Sequence, residues 1–380
     1  MAPIHVARQH IFSPIHQTTL NGDNATILES ITLSPIHQAT LDGDNALILE
    51  LINQGANVNA RTDLGSTPLH LAASLGFEST VQLLIQQGAD IDSDDGQNFT
   101  PLALAVVGGH INVVDFLLTN NADIKLVNHP LNITSFHLAA CLGSLPIITL
   151  LKDAGAVIDA VDNQNSTPLA MATMYGQVNV VDYLLTNNAD SSIRDVLNNA
   201  PIHIAAENGY ADIVKLLLDN MADPNALVAY DYTPLHIAIE KWNIDVAKVL
   251  IENGADFSLK TSNGYTPLLM ATDSEIKELI VQLLEKNADI NAQDNQGYAP
   301  LHIAAIKNNI DIICLLLEHQ ANRVLAANDG TTPEMLLLTQ GFNDNDCVVE
   351  VSYPTPAPGN EEMNFAAVLD SKNITDIISE

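Results

Sequence analysis

Basic residues are scarce in this chain of 380 residues. It carries 14 Lys and Arg against 46 Asp and Glu, which gives a formal net charge of −32 at pH 7. Between residues 1 and 124 the only Lys or Arg residues are Arg8 and Arg61. Phosphate backbones and anionic lipid headgroups are bound through clustered cations. The composition therefore argues against nucleic acids and membranes as partners and favours a partner with basic residues.

Cysteines and long apolar segments are also few. Cys141, Cys314 and Cys347 are odd in number and far apart, which argues against a disulfide framework. The first residues contain no apolar core of signal-peptide length. No run of about 18 apolar residues is present that would span a bilayer. We expect from these absences a monomeric, cytoplasmic protein of a reducing compartment.

A repeated phrase is what the sequence has in abundance. Residues 67–73 read Thr-Pro-Leu-His-Leu-Ala-Ala, and related phrases recur along most of the chain. The proline position falls at Pro35, Pro68, Pro101, Ser135, Pro168, Pro201, Pro234, Pro267, Pro300 and Pro333. Every interval is 33 residues except that between Pro101 and Ser135, which is 34. A fixed period of this length predicts a stacked array in which each unit contacts its neighbours.

Each repeat has the sequence signals of two helices. Thr67 is a good N-cap, and Pro68 suits the first helical position, where its missing N–H costs nothing. Gly76 ends this short helix, and an apolar stripe over residues 81–85 predicts a second one. Gly88 follows at the end of the second helix, where a left-handed conformation is common.

Two further positions of the unit hold residues that tolerate positive φ. The residues 20 positions after the proline are Gly55, Gly88, Asn121, Gly155, Asn188, Gly254 and Asn287, with Met221 and Gln320 as departures. The residues three positions before the next proline are Gly65, Asn98, Asn165, Asn198, Asp231, Gly264, Gly297 and Gly330. The second set predicts a tight hairpin turn between successive units.

The 33-residue period and the Thr-Pro-Leu-His-x-Ala phrase resemble the ankyrin repeat, over residues 13–340 and about ten to eleven units. The resemblance implies an all-α solenoid of helix-turn-helix pairs with short β-hairpins along one edge and first helices lining a concave face. It also implies a non-catalytic scaffold that binds a partner protein through that face and the hairpin tips.

The ends of the array are expected to differ from its middle. Residues 1–12 form an N-terminal tail, and residues 13–33 form a truncated repeat that acts as a cap. Residues 333–340 begin an incomplete last repeat, and residues 341–380 form an acidic, proline-containing tail that either caps the array or is free. The one extra residue, near His129 and Pro130, predicts a local change in hairpin shape.

The histidines and one acidic hairpin are the candidate positions for metal binding. Six histidines occupy the fourth position of the phrase, namely His37, His70, His137, His203, His236 and His302. The resemblance gives them a structural role, and neighbouring copies would lie about 8–10 Å apart, whereas zinc ligands sit at about 2 Å from one ion. Counting from Asp90, the sixth and twelfth positions of a calcium loop hold Asp95 and Pro101 instead of Gly and Glu. We therefore expect no metal site.

Catalytic chemistry finds equally little support. Cys141 falls in a first helix and is expected to be half exposed, while Cys314 is expected in the core. Cys347 is flanked by acids that would raise the pKa of its thiol and lower its reactivity. No phosphate-binding loop or nucleophile elbow is present. We expect no catalytic residue and no cofactor, and so no enzyme.

A partner-binding surface is predicted where ankyrin proteins present hairpin tips and the exposed edges of first helices. The aromatic residues at those positions are Phe99, Tyr175, Tyr230, Tyr232, Tyr265 and Tyr298. Trp242, the single tryptophan, replaces the usual Gly after a first helix, and Glu207, Glu240 and Asp273 add negative charge. We predict an aromatic, acid-rimmed surface for a basic or extended protein segment. The alternative is that the tyrosines stack on one another between repeats.

Further functional interpretations stay open from sequence. Leu283, Asp289, Ile290, Asn291 and Ala292 match the pattern around ankyrin asparagines that a dioxygenase hydroxylates in animal cells, which makes Asn291 a candidate. The Lys-poor, Asn-rich composition permits an effector that an intracellular bacterium delivers into a host cell. The alternatives to a scaffold are the ankyrin-repeat portion of an enzyme or toxin system with catalysis elsewhere, and a structural spacer.

Overall fold

The computed structural model describes residues 33–128 and 131–347, and these residues form nineteen α-helices and one short β-hairpin. The predicted N-terminal tail (1–12) and nearly all of the truncated unit (13–33) lie outside the described residues. So do His129, Pro130 and most of the C-terminal tail (348–380).

The helices alternate along the chain as pairs, one pair to a repeat. They are α1 (Pro35–Leu41) and α2 (Asn45–Asn53), α3 (Pro68–Leu75) and α4 (Glu78–Gln86), α5 (Pro101–Gly108) and α6 (Ile111–Thr119), α7 (Ser135–Leu142) and α8 (Leu145–Asp153), and α9 (Pro168–Met174) and α10 (Val178–Thr186). There follow α11 (Pro201–Asn208) and α12 (Ala211–Asp219), α13 (Pro234–Glu240) and α14 (Ile244–Glu252), α15 (Pro267–Asp273) and α16 (Lys277–Glu285), α17 (Pro300–Lys307) and α18 (Ile310–Glu318), and the unpaired α19 (Pro333–Thr339).

The first helix of each pair begins and ends as its sequence predicts. In α3, Thr67 Oγ1 accepts the backbone N–H of His70, and Pro68 occupies the first turn. Gly76, with φ of 74°, ends the helix in the left-handed conformation. Six more first helices have a threonine N-cap of this kind, Thr100, Thr134, Thr167, Thr233, Thr266 and Thr332.

The helices pack in two rows, first helices against first helices and second helices against second helices. Leu69 and Ala72 of α3 and Val81 and Leu84 of α4 are fully buried, and one continuous apolar core runs through the stack. Each pair therefore buries its apolar face only because a neighbour covers it. The structure confirms the predicted all-α solenoid.

Hairpin turns join one pair to the next, with the backbone conformations that the sequence predicted. All eight residues three positions before a proline have positive φ, and so do the Gly and Asn residues that end the second helices. Met221 (φ 67°) and Gln320 (φ 64°) keep the same conformation although they depart from the Gly and Asn pattern. The fold therefore imposes the left-handed backbone even on residues that disfavour it.

The extra residue lies in a hairpin with a β-ladder. Strand β1 (Val127–Asn128) pairs antiparallel with β2 (Ile133–Thr134), directly before α7. This is the one strand pair in the described ranges 33–128 and 131–347. It confirms that the hairpin shape changes at the 34-residue interval.

The cysteine predictions were wrong at two places. Cys314 in α18 forms a disulfide with Cys347 of the short 3-10 turn Asp344–Cys347, so the prediction of a free Cys347 thiol fails. The two lie 33 residues apart, and one repeat of the array brings their Cα atoms to 5.1 Å. Cys141 is buried at 9% exposure rather than half exposed. Because disulfides persist in oxidising environments, the cysteine pattern no longer argues for a reducing compartment.

Candidate functional site

The six repeated histidines hold neighbouring loops together. In the first complete example, the Thr67 N–H donates to His70 Nδ1 at 3.1 Å, so the ring proton lies on Nε2 and is donated to the Phe99 carbonyl at 3.0 Å. The Nε2 atoms of His37, His137, His203, His236 and His302 contact the carbonyls of Ala60, Ser166, Ala226, Tyr265 and Thr331 in the same way. Their predicted structural role is thus visible in the hydrogen bonds.

Burial sets the protonation of these histidines. The pKa of each is lowered mainly because the imidazolium would lose its hydration, and for His236 the pKa falls to about 4. They are therefore neutral at pH 7. Within the described residues no group of three or more His, Cys, Asp or Glu is arranged to hold a metal ion.

Two of the predicted surface aromatics are buried. Phe99 is fully covered by the core, and Tyr175 keeps 9% of its surface exposed at the end of α9. The Tyr175 ring lies beside Cys141 of the preceding repeat, and burial raises the pKa of its hydroxyl. Neither ring can be presented to a partner, so their assignment to the binding surface is corrected.

Three other tyrosines, Tyr232, Tyr265 and Tyr298, are half buried. The ring of Tyr232 lies 5.8 Å from the ring of His236, and that of Tyr298 lies edge-on at 5.4 Å from His302. The Tyr298 hydroxyl also donates to Asp329 at 3.2 Å. Tyr265 is half buried, and burial raises the pKa of its hydroxyl. These rings therefore support the hairpins and expose only part of their surface.

Tyr230 and Trp242 are the exposed aromatic residues of the predicted set. Tyr230 is 78% exposed at a hairpin tip, and Trp242 is 59% exposed directly after α13. Both have a left-handed backbone, with φ of 62° and 58°. The position of Trp242 is held by Gly in most other repeats, as at Gly209.

A cleft of about 470 Å³ brings four of the predicted residues together. Glu207, Tyr230, Tyr232 and Glu240 line it, with Val228, Ala229, Ile237, Lys241 and Asn263. Trp242 lines a second cleft of about 380 Å³, with Gly209, Asn243, Ile244, Asp245, Val246 and Glu278. We call the α13 surface the set formed by Glu207, Tyr230, Tyr232, Glu240 and Trp242.

Two of the predicted acidic residues, Glu207 and Asp273, are partly neutralised by lysines that were not predicted from the sequence. Lys241 lies 3.1 Å from Glu207, and this contact raises the pKa of the lysine. Lys307 also forms an ion pair, at 3.1 Å from Asp273. Each lysine follows its acid by 34 residues, one repeat plus one position, and this spacing is the signal that would have found the pairs. Glu240 forms no ion pair with the described residues.

Asn291 has a structural contact of its own. It is half buried, and its Oδ1 accepts the backbone N–H of Asn322 in the next unit at 2.9 Å. Asn59 and Asn225 make the equivalent bond to Asp90 and Asp256. The side-chain amide therefore links units, and hydroxylation of Asn291 stays a prediction.

The geometry defines an architectural class. Paired helices stacked at a 33-residue period and joined by hairpins are the architecture of an α-solenoid. Among these residues no helix has both the length and the apolarity to traverse a bilayer.

The comparisons give the family. The model for ankyrin repeats (three copies) matches residues 36–128, 124–195, 192–261 and 253–328. The crystal structure of the human ASB11 ankyrin repeat domain is similar, with 27% identity and a TM-score of 0.54 over 59% of this chain and 99% of that one. No curated protein sequence matches. The chain belongs to the ankyrin-repeat family, whose repeats generally serve as protein–protein interaction modules and are typically non-catalytic.

Proposed function

We propose that this protein is a non-catalytic scaffold that binds a partner protein through the α13 surface. The observation that carries the proposal is the placing of two exposed aromatic residues, Tyr230 and Trp242, in one repeat and on two clefts. Aromatic side chains are enriched at interface anchors because they bury a large area with few torsions.

The backbone of both residues supports this assignment. A left-handed conformation costs a residue with a side chain about 1–2 kcal/mol, and bulky residues rarely adopt it. Glycine would remove the cost at both positions, yet the chain has Tyr230 and Trp242 there. Such strained residues are concentrated at functional sites, where the side chain is needed in spite of its cost.

The chemistry of the surface favours a basic segment. Glu240 is exposed and has no ion-pair partner among the described residues, and the whole chain carries a net charge of −32. The faces of Tyr230 and Trp242 also attract ammonium and guanidinium groups. A cationic protein would be drawn to this surface faster than a neutral one.

The proposal is tested by chemical crosslinking and affinity capture from cell lysate with three full-length proteins. Trp242→Gly removes the ring and relieves the backbone, and Met221→Gly makes the same backbone change at an exposed site away from the α13 surface. We expect the wild type and Met221→Gly to capture the same proteins and Trp242→Gly to lose them. Capture of one set by all three proteins would contradict the proposal.

A further inference from the structure

The hairpins are joined to one another by a regular series of backbone hydrogen bonds. In six units the N–H five positions before the proline donates to a carbonyl of the preceding hairpin, 32 residues back. The bonds are Gly96 to Leu64, Asn163 to Leu131, Val196 to Gln164, Ser262 to Tyr230, Asn295 to Asn263 and Asn328 to Gln296, at 2.9–3.2 Å. This series is called the hairpin ladder.

The ladder is interrupted between Leu197 and Ala229. By position the Ala229 N–H would donate to the Leu197 carbonyl, but that bond is not formed. Neither group has another protein partner among residues 33–128 and 131–347. The interruption lies next to the α13 surface, because Ala229 and Tyr230 both line the larger cleft.

The interrupted hairpin differs from the others in its turn. Four hairpins have an aspartate six positions before the proline, and its Oδ1 accepts two backbone N–H groups of the turn. In the preceding hairpin Asp195 accepts from Leu197 and Asn199, and Asp95, Asp162 and Asp294 do the same in theirs. Val228 holds this position in the interrupted hairpin and cannot accept. Ala327 cannot accept either, yet Asn328 still bonds to Gln296, so the missing acceptor alone does not break the ladder. The interrupted hairpin is set apart by its turn, in which Tyr230 and Asp231 are both left-handed, whereas only the second of these positions is left-handed in the other hairpins.

The side chains around the interruption are apolar and exposed. Val196 is 60% exposed, Leu197 is 72% exposed, and Leu227 and Tyr230 are also exposed. An unpaired N–H and C=O flanked by apolar side chains is the kind of edge to which an extended chain adds, with backbone bonds giving affinity and side chains giving selectivity.

We propose that an extended, basic segment of a partner protein docks at the interruption, bonds to the Ala229 N–H and Leu197 C=O, and places an Arg or Lys side chain in the cleft beside Glu240. This inference rests on the proposed function and adds to it the conformation and charge of the segment. The charge follows from the unpaired Glu240 carboxylate and the Tyr230 ring at the cleft, and the extended conformation follows from the two backbone groups.

The test uses linear twelve-residue peptides displayed on phage and selected against the intact chain. The tightest peptide is synthesised, and its affinity is measured by calorimetry together with versions N-methylated at single backbone amides. Val228→Asn supplies a neutral counterpart of the Asp195 acceptor and is designed to draw Tyr230 out of the left-handed conformation and close the ladder. Val161→Asn is the control, because it makes the same exchange on another hairpin at a position that does not hold the turn acceptor. Amide hydrogen exchange then locates the bound peptide.

We expect enriched peptides to contain Arg or Lys and to slow exchange at residues 196–197 and 228–232. Methylation of one amide is expected to weaken binding about three- to tenfold, as for the loss of one hydrogen bond. Val228→Asn should weaken it at least as much, and Val161→Asn should leave it unchanged. A peptide that binds Val228→Asn and wild type equally, or no enrichment at all, overturns the inference.

These measurements distinguish a failure of the extended-segment proposal from a failure of the proposed function. Binding that is lost with Trp242→Gly but insensitive to Val228→Asn and to N-methylation overturns the extended segment and leaves the α13 surface in place. Binding that is insensitive to all three changes overturns both. Self-association of the wild type that Val228→Asn abolishes would replace the peptide by a second copy of the chain and overturn the inference.

Discussion

At the scale of single residues, Met221 shows most clearly the backbone strain that the repeat imposes. It is 90% exposed, and φ is 67° at a position where most repeats have Gly or Asn. Met221→Gly should raise the free energy of unfolding by about 0.5–1 kcal/mol, because the relieved strain exceeds the entropy that glycine loses on folding. Urea unfolding followed by circular dichroism measures the change. Asn188→Gly is the control and should change less, since Asn tolerates this conformation; a destabilised Met221→Gly would contradict the argument.

Trp242 combines the same strain with a place on the α13 surface. Trp242→Gly should stabilise the protein by about as much as Met221→Gly, because both remove a side chain from a left-handed residue. Unlike Met221→Gly, it should also weaken partner binding, which is the trade-off expected where strain serves function. Thermal unfolding and partner capture, measured on the same samples, check the two effects. Loss of stability would show that the ring supports the fold instead.

The sequence predicted where each site residue falls in the repeat but not which way its side chain points. Phe99 and Tyr175 occupy positions that ankyrin proteins often expose, yet both rings turn into the core. Tyr175 packs beside Cys141 of the preceding repeat, and no pattern within one repeat encodes such a contact with a neighbour. Tyr230 and Trp242 were found because a bulky residue at a turn position is visible in the sequence itself.

At the scale of elements, the repeated histidines make the helix and hairpin junctions sensitive to pH. Their pKa values lie below 6.5 in the folded chain, at about 4 for His236, so the unfolded chain binds more protons between these values. The stability that the neutral rings contribute is therefore complete above pH 6.5 and is lost as the pH falls below it. Each histidine contributes up to about 1.4 kcal/mol per pH unit in that range.

We therefore expect the urea midpoint to fall between pH 7.0 and 5.5, where carboxylates hardly titrate. His236→Gln is the comparison: it is less stable at pH 7 because the bond to the Tyr265 carbonyl is altered, and it has a shallower pH dependence. A midpoint that does not change with pH would show that the rings are not neutral and buried as described.

Among the hairpins, the sequence predicted the positions of the turns but not the interruption of the hairpin ladder. The period placed every turn, and the Gly, Asn and Asp residues three positions before the proline have the positive φ that their types predicted. Val228 was overlooked because an apolar residue in a hairpin is unremarkable by composition. It differs from Asp95, Asp162, Asp195 and Asp294, whose carboxylates hold four of the other turns, and the left-handed conformation of Tyr230 in the same turn is visible only in the structure.

At the scale of the whole molecule, the net charge of −32 opposes the compact state. The ion pairs that offset it, such as Lys215 with Asp219, are largely exposed and contribute little. Raising KCl from 10 to 300 mM should therefore raise the unfolding temperature by several degrees, because the Debye length falls from about 30 Å to below 8 Å. Differential scanning calorimetry measures this. A lower unfolding temperature in salt would show that the ion pairs outweigh the repulsion.

The disulfide limits fraying at the end of the described array. Among residues 33–128 and 131–347, α19 has no second helix to cover it, and the Cys314–Cys347 bond fastens the following 3-10 turn to α18. Closing a loop of 33 residues lowers the conformational entropy of the unfolded chain and thereby stabilises the folded chain by about 3–4 kcal/mol. Reduction of the disulfide removes this stabilisation. Because each repeat is stabilised only by its neighbours, that loss should be concentrated at the C-terminal repeats.

We therefore expect dithiothreitol to speed amide hydrogen exchange in Pro333–Thr339 and to leave Pro68–Leu75 unchanged. Thiol labelling of the denatured chain should detect Cys141 alone before reduction and all three cysteines after it. Cys347→Ser is the control, because it should exchange rapidly in α19 with or without the reductant. Three reactive thiols in the untreated protein would contradict the pairing, and a reductant effect on exchange in Cys347→Ser would assign the fraying to another cause.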